Sequence, residues 1–194
     1  MIALVTERAS DAEVIAASAA DPHAFATVFD RHFDAVHRYL RARLGPFLAD
    51  DLAAETFTRA FDARRRFDPS YADSRPWLFA IATNLVREHR RAEVRRLKAL
   101  CRLDPRAQAA TDEDAAIARL DAAAGGRELA AALASLRPKD RDALLLIAWA
   151  DLTYEEASHA AGVPVGTIRS RVHRARAVVR RALELPSTEE TPDE

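Results

Sequence analysis

The sequence predicts an all-α fold: two small helical domains joined by a flexible acidic linker. Three observations lead there. Alanine and leucine are abundant while the chain holds only 5 glycines, a balance that favours helix. Apolar residues recur at helical spacing, as in Phe25, Val28, Phe29, Phe33, Val36 and Leu40, the pattern of one buried helical face. That periodicity fails between Leu103 and about Arg127, a stretch of alanines and acids with Asp104-Pro105 and Gly125-Gly126, and resumes beyond it. A length of 194 residues leaves room for one large or two small domains,.

Residues 1–20 read as an N-terminal tail. Asp21-Pro22 is an N-cap followed by proline at the first helical position, and the helix it opens runs through Arg43 to a break at Gly45-Pro46. A second helix follows from about Ala49 to Arg65, with Leu52, Phe57 and Phe61 facing inward. Asp68-Pro69-Ser70-Tyr71-Ala72-Asp73 is a loop by its turn residues,. Ser74 caps a third helix, which carries Trp77, Leu78, Ile81, Leu85 and Val86 and turns basic through Arg96. The first domain thus takes residues 21–100 and the linker 101–126, with a short helix around Ala115–Ala122. The second domain takes 127–185, with helices at Glu128–Leu136 and Pro138–Ala150 ahead of a second pair. Residues 186–194 are a polar acidic tail of the composition that stays disordered,.

That second pair is the most informative stretch. Thr153 with Glu156 three residues on is a capping box, so a helix starts at Tyr154,. Gly162 can take the left-handed conformation that ends it, and Pro164 stops the chain continuing as helix. Ser158 is small enough for two helices to cross closely there. In the helix that follows, Ile168, Val172 and Val179 share a face, while Arg169, Arg171, Arg174, Arg176, Arg180 and Arg181 occupy the rest, with no acid between Pro164 and Leu183. A solvated arginine-rich helix is the bland alternative. The capped helix and glycine turn in front of it make a helix-turn-helix, whose second helix enters the DNA major groove.

Net charge is −1, which by itself argues against nucleic acid. The average hides an asymmetry: bases cluster at Arg87–Arg106 and Arg169–Arg181, acids at Asp112–Asp114 and Glu189–Glu194,. Cys101 is the only cysteine, so no internal disulfide and no cysteine metal site is expected,. Met1–Ser10 lacks a secretion pattern and no apolar run is long enough to span a bilayer,. A cytoplasmic protein without membrane insertion is expected.

Three motifs in order carry a family resemblance. They are Asp50-Asp51-Leu52-Ala53-Ala54-Glu55-Thr56-Phe57-Thr58-Arg59-Ala60-Phe61, Arg75-Pro76-Trp77-Leu78-Phe79-Ala80-Ile81-Ala82-Thr83-Asn84, and Leu136-Arg137-Pro138-Lys139-Asp140-Arg141 through Pro164 to Arg171. Over roughly Asp21 to Leu183 the chain resembles the extracytoplasmic-function group of bacterial sigma-70 factors, which bind core RNA polymerase and direct it to promoters. The resemblance implies that 21–100 is region 2, binding core polymerase and the −10 element, and that 127–185 is region 4, binding the −35 element. It puts Asp51, Glu55 and Arg59 at the polymerase, with Asp50 serving the helix dipole; Ala54 stands where members often have glutamine. Opposite charge there steers encounter more than it adds affinity.

Tyr71, Asn84, Arg87, Arg90 and Arg91 are implied at the −10 element. The asparagine amide would bond an unstacked base, the Tyr71–Ser74 loop would form part of a pocket, and the arginines, with Arg95 and Arg96, would meet phosphates. Trp77 reads as core, with base stacking the minority alternative. Thr167, Arg169, Ser170, Arg171, His173 and Arg174 are implied at the −35 element, where arginine can bind guanine in a bidentate way. Leu144, Leu145, Leu146, Ile147 and Trp149 are core, and part of that helix can also face the polymerase flap. The implied partners are core RNA polymerase, promoter DNA and an anti-sigma factor, and the linker would run near the RNA path.

Two other classes compete. A helix-turn-helix regulator acting without polymerase would share the C-terminal domain but not the acidic motif or the tryptophan-led helix. An enzyme would need a phosphate loop, a nucleophile elbow or paired carboxylates, none of which is present, and His23, His32, His37, His89, His159 and His173 show no ligand spacing with acids,. No catalytic residue, cofactor or metal is expected, and His32 and His37 read as surface residues.

Overall fold

Helices form every regular element among the described residues. The structure, a computed structural model, describes residues 9–103 and 124–183. The helix expected around Ala115–Ala122, most of the linker, the tail 186–194 and the side chains of Arg96 and Cys101 lie outside what is described. The elements run α1 (Asp11–Ala17), a 3-10 turn (Pro22–Phe25), α2 (Ala26–Leu44), α3 (Pro46–Ala63), a 3-10 turn (Arg64–Arg66), α4 (Arg75–Leu103), α5 (Ala124–Ser135), α6 (Pro138–Ala148), α7 (Tyr154–Ala161) and α8 (Val165–Ala182).

No element is expected before Asp21 from the sequence, yet α1 stands there. Its signal is a second capping box: the Ser10 hydroxyl accepts from the Glu13 amide at 3.3 Å while the Glu13 carboxylate accepts from the Ser10 amide at 2.7 Å,. Val14 and Ile15 then bury it against the bundle. Asp21 caps as expected, accepting from the His23 amide at 3.0 Å, but the turn it starts is 3-10 before α2 begins.

Gly45, at φ 78°, turns the chain so that α3 begins at Pro46, the first position where proline costs no hydrogen bond,. Val28, Val36 and Leu40 of α2 meet Ala53 and Phe57 of α3 and Leu78, Ala82 and Val86 of α4 in the core of the N-terminal half. Phe79 is fully buried edge-on against Tyr39, while Trp77 is half-buried against Phe67. In the C-terminal half Leu133 of α5, Leu145 and Leu146 of α6, and Ile168, Val172 and Ala175 of α8 close a second apolar centre.

The two halves touch: α4 packs along α7, and α6 reaches the buried Arg43 of α2. No described helix is long and apolar enough to cross a membrane.

Candidate functional site

The helix-turn-helix is built by the residues the sequence points to. The Thr153 hydroxyl accepts from the Glu156 amide at 3.2 Å, and the Glu156 carboxylate from the Thr153 amide at 2.8 Å. Gly162 sits in the left-handed region at φ 63°, ψ 40°. Ser158 also bonds across the turn: its hydroxyl donates to the Val163 carbonyl at 2.6 Å and pins it. Ile168, Val172 and Ala175 bury one face of α8, so the opposite face is presented outward.

On that face Arg169, Ser170, His173 and Arg174 are exposed, and Thr167 and Arg171 are half-buried. Arg169 lies over the Tyr154 ring, 5.8 Å from its centroid, with Glu155 at 3.7 Å. Arg174 is held by Asp140 of α6 at 2.9 Å and 3.4 Å, a two-bond clamp that aims its guanidinium,.

The N-terminal half presents two more surfaces. On α3 and α4, Asp51, Glu55, Arg59, Glu88, Arg91 and Arg95 line an open groove of about 710 Å³, acids chiefly on α3 and arginines chiefly on α4. Arg59 donates to Glu55 at 2.7 Å and to Glu88 at 2.9 Å, so it joins the two helices and leaves Asp51 exposed beside them. Asp50, also exposed, lies beyond the first turn of α3, and its carboxylate bonds the His37 ring at 2.8 Å.

The other surface is the loop before α4 with the α4 face that follows. Ser74 stands where a cap belongs, since its carbonyl accepts the Leu78 amide at 2.9 Å, but its hydroxyl does not cap. It donates to Asp11 of α1 at 2.7 Å, and the Asp73 carboxylate takes the Arg75 amide at 2.8 Å instead. Phe67, Tyr71, Pro76, Trp77, Ala80 and His159 line a pocket of about 220 Å³ beside this loop. Asn84 and Arg91 are exposed on α4, and Arg87 and Arg90 half-buried.

These surfaces converge where the halves meet. Asn84, Arg87, Arg90 and Arg91 share a cleft of about 540 Å³ with Lys139 and Arg171 of the C-terminal half. The Asp142 carboxylate sits in its wall, accepting from Arg87 at 2.9 Å and also from Arg43. Arg43 is completely buried and donates in turn to the Tyr39 hydroxyl at 2.7 Å, which pairs with Thr83 at 2.8 Å. Burial works against the Asp142 charge, but Arg43 and Arg87 outweigh it and hold the carboxyl below its ordinary value,. At the loop, Tyr71 meets His159 of α7 at 3.1 Å, and Arg75 approaches Glu156 at 3.6 Å.

Arg43, Asp140, Asp142 and Asp11 are missed by sequence reasoning. No local pattern in the sequence assigns them partners; only the tertiary packing reveals these. His32 is likewise not a surface residue, for its ring bonds Asp11 at 2.6 Å. Asp11, His32 and Asp73 bring ligand-type atoms within 4.8 Å of one another. Their oxygens already accept from Ser74, Arg31 and Arg75, so hydrogen bonding accounts for the cluster.

Comparison with known proteins finds matches to both halves of the chain. Residues 28–96 match the family described as Sigma-70 region 2, and residues 126–178 the family described as Sigma-70, region 4. The chain is 39% identical over 131 residues to the ECF RNA polymerase sigma factor SigC of Mycobacterium tuberculosis, an overlap that spans 66% of this chain and 66% of that one. It is 32% identical over 149 residues to the ECF RNA polymerase sigma factor EcfG of Rhodopseudomonas palustris, covering 73% of this chain and 75% of that one. Among solved structures, CnrH in complex with the cytosolic domain of CnrY is similar at a TM-score of 0.65 and 25% identity, over 91% of this chain and 99% of that one.

Proposed function

The chain belongs to the extracytoplasmic-function group of the sigma-70 family, and from that premise we propose that it binds core RNA polymerase and directs promoter-specific initiation without chemistry of its own. The observation that carries this reading is the placement of three sets of residues on three surfaces. The α3 acids Asp51 and Glu55, on the α3 side of a groove that Arg91 and Arg95 line from α4, suit the basic surface of a polymerase subunit,. The loop pocket at Tyr71 and the α4 face with Asn84 and Arg87 suit an unstacked −10 strand,. The outward face of α8, with Thr167, Arg169, Ser170, Arg171, His173 and Arg174, suits the −35 major groove,.

A regulator acting alone would need only the third surface. The α3 acids Asp51 and Glu55, the latter linked through Arg59 to Glu88 of α4, favour the polymerase reading. Work at promoters places the chain in the cytoplasm. An anti-sigma partner belongs to the same proposal: CnrH was solved with the cytosolic domain of CnrY, and this chain leaves Phe47 88% exposed near the α3 acids,. The test is to incubate core polymerase and the chain with randomised promoter fragments, then sequence those retained. A shared motif in two blocks supports the reading, and a single block bound equally well without polymerase overturns it.

A further inference from the structure

We propose that Asp11, in the short helix ahead of region 2, is a positioning residue for −10 recognition: it holds in shape the loop that forms the base pocket. This rests on the assignment of that loop to the −10 strand.

The geometry alternates along the loop. Asp68, Tyr71 and Asp73 line the pocket. Ala72 and Ser74 are tied to Asp11: its amide donates to the Ala72 carbonyl at 3.0 Å, and one carboxylate oxygen accepts from the Ser74 amide at 2.9 Å and the Ser74 hydroxyl at 2.7 Å. The same oxygen meets His32 at 2.6 Å, and the other accepts from Arg31 at 2.9 Å. Asp11 is 6% exposed and Ser74 is fully buried, so water cannot replace these bonds without opening the bundle.

α1 is itself anchored, by its capping box and by Val14 and Ile15 in the core. The chain from Asp68 to Ser74 is therefore fixed at its pocket side by its own turn bonds, Ser70 to Asp68 at 2.9 Å and Tyr71 to Asp68 at 3.2 Å, and at its inner side by Asp11. A pocket that must receive a flipped base gains affinity by being formed beforehand, since ordering it on binding would cost part of the interaction.

The test uses the full chain with core polymerase and three measurements: affinity for core, affinity for −35 duplex, and affinity of the assembled holoenzyme for the single-stranded −10 strand recovered with the wild type. Asp11→Ala is expected to weaken the last about tenfold, the scale of a lost charge-assisted hydrogen bond, with the first two unchanged and faster amide exchange at Tyr71–Arg75. Asp11→Asn, which keeps an acceptor oxygen, is expected to restore part of the loss, and Ser74→Ala to reproduce part of it. Unchanged −10 affinity in a folded Asp11→Ala variant overturns the proposal, as does an equal fall in all three affinities, which marks a general loss of fold. Failure of the wild-type holoenzyme to hold any −10 strand overturns the underlying assignment of the loop instead, and the proposal with it.

Discussion

Asp142 and Arg87 stand on different halves of the chain, and the Arg87 Nε donates to the Asp142 carboxylate at 2.9 Å. The same carboxylate neutralises Arg43, which has no access to solvent. On the proposed assignment, an acid from the C-terminal half fills the place at Arg87 that a −10 phosphate would take. Removing one partner of a buried ion pair costs about 3–5 kcal/mol. Asp142→Ala is therefore expected to separate the halves, read as a longer distance between fluorophores on Thr58 and Ala177 in a Cys101→Ser background, with helix content retained. An unchanged distance would mean that the α4–α7 packing holds the halves together without the ion pair.

Acid should weaken the same contacts. Asp142 and Asp11 both lie below the ordinary carboxylate value of 3.8. For Asp11, burial opposes ionisation, but the bonds from His32, Ser74 and Arg31 prevail. Carboxyls lowered in the folded state stabilise it fully above their unfolded value and lose that contribution as pH falls through the folded one. Thermal stability is expected to be level above about pH 5 and to drop below roughly pH 4, and Asp11→Asn should flatten the drop. A variant with the wild-type acid profile would show that other carboxyls set it.

Charge reversal on α3 separates steering from folding. Asp51→Lys and Glu55→Lys are expected to slow association with core polymerase about tenfold at low salt, with −35 duplex affinity unchanged. Thermal stability should move by less than about 1 kcal/mol, because the Glu55–Arg59–Glu88 network is solvent-exposed,. Stopped-flow binding at two ionic strengths checks this, and rates equal to wild type would move the polymerase contact off this groove.

Arginines of α8 should divide into readers and anchors. Arg169→Ala is expected to cost about 1–3 kcal/mol on the preferred duplex and to relax selectivity at one position. Arg181→Ala should weaken all duplexes alike and lower the salt slope by about one. Binding selections at several salt concentrations distinguish the two. Arg174→Ala bears on orientation as well, since Asp140 aims that side chain.

Local chemistry made most of the fold legible. Thr153, Glu156, Gly162 and Pro164 specify the helix-turn-helix through caps and dihedral preference, which act within a few residues. The residues of each proposed surface came from the resemblance of three motifs to a family, and helical spacing adds only which of them can share a face. Asp142 with Arg43, Tyr71 with His159 and Asp11 with Ser74 were not legible. Each pair is far apart in the chain, so no local rule links its members until the packing brings them together. The α1 capping box at Ser10 and Glu13 was readable, but the helix it opens is too short for hydrophobic periodicity to show.

The most direct test of the account is run-off transcription from a promoter library with bacterial core RNA polymerase, with and without this chain. The account predicts transcripts that begin at a shared two-part motif only when the chain is present. Initiation that does not depend on the chain, while the chain still binds duplex DNA, would contradict it and would return Asp51, Glu55 and Asn84 to the status of surface residues.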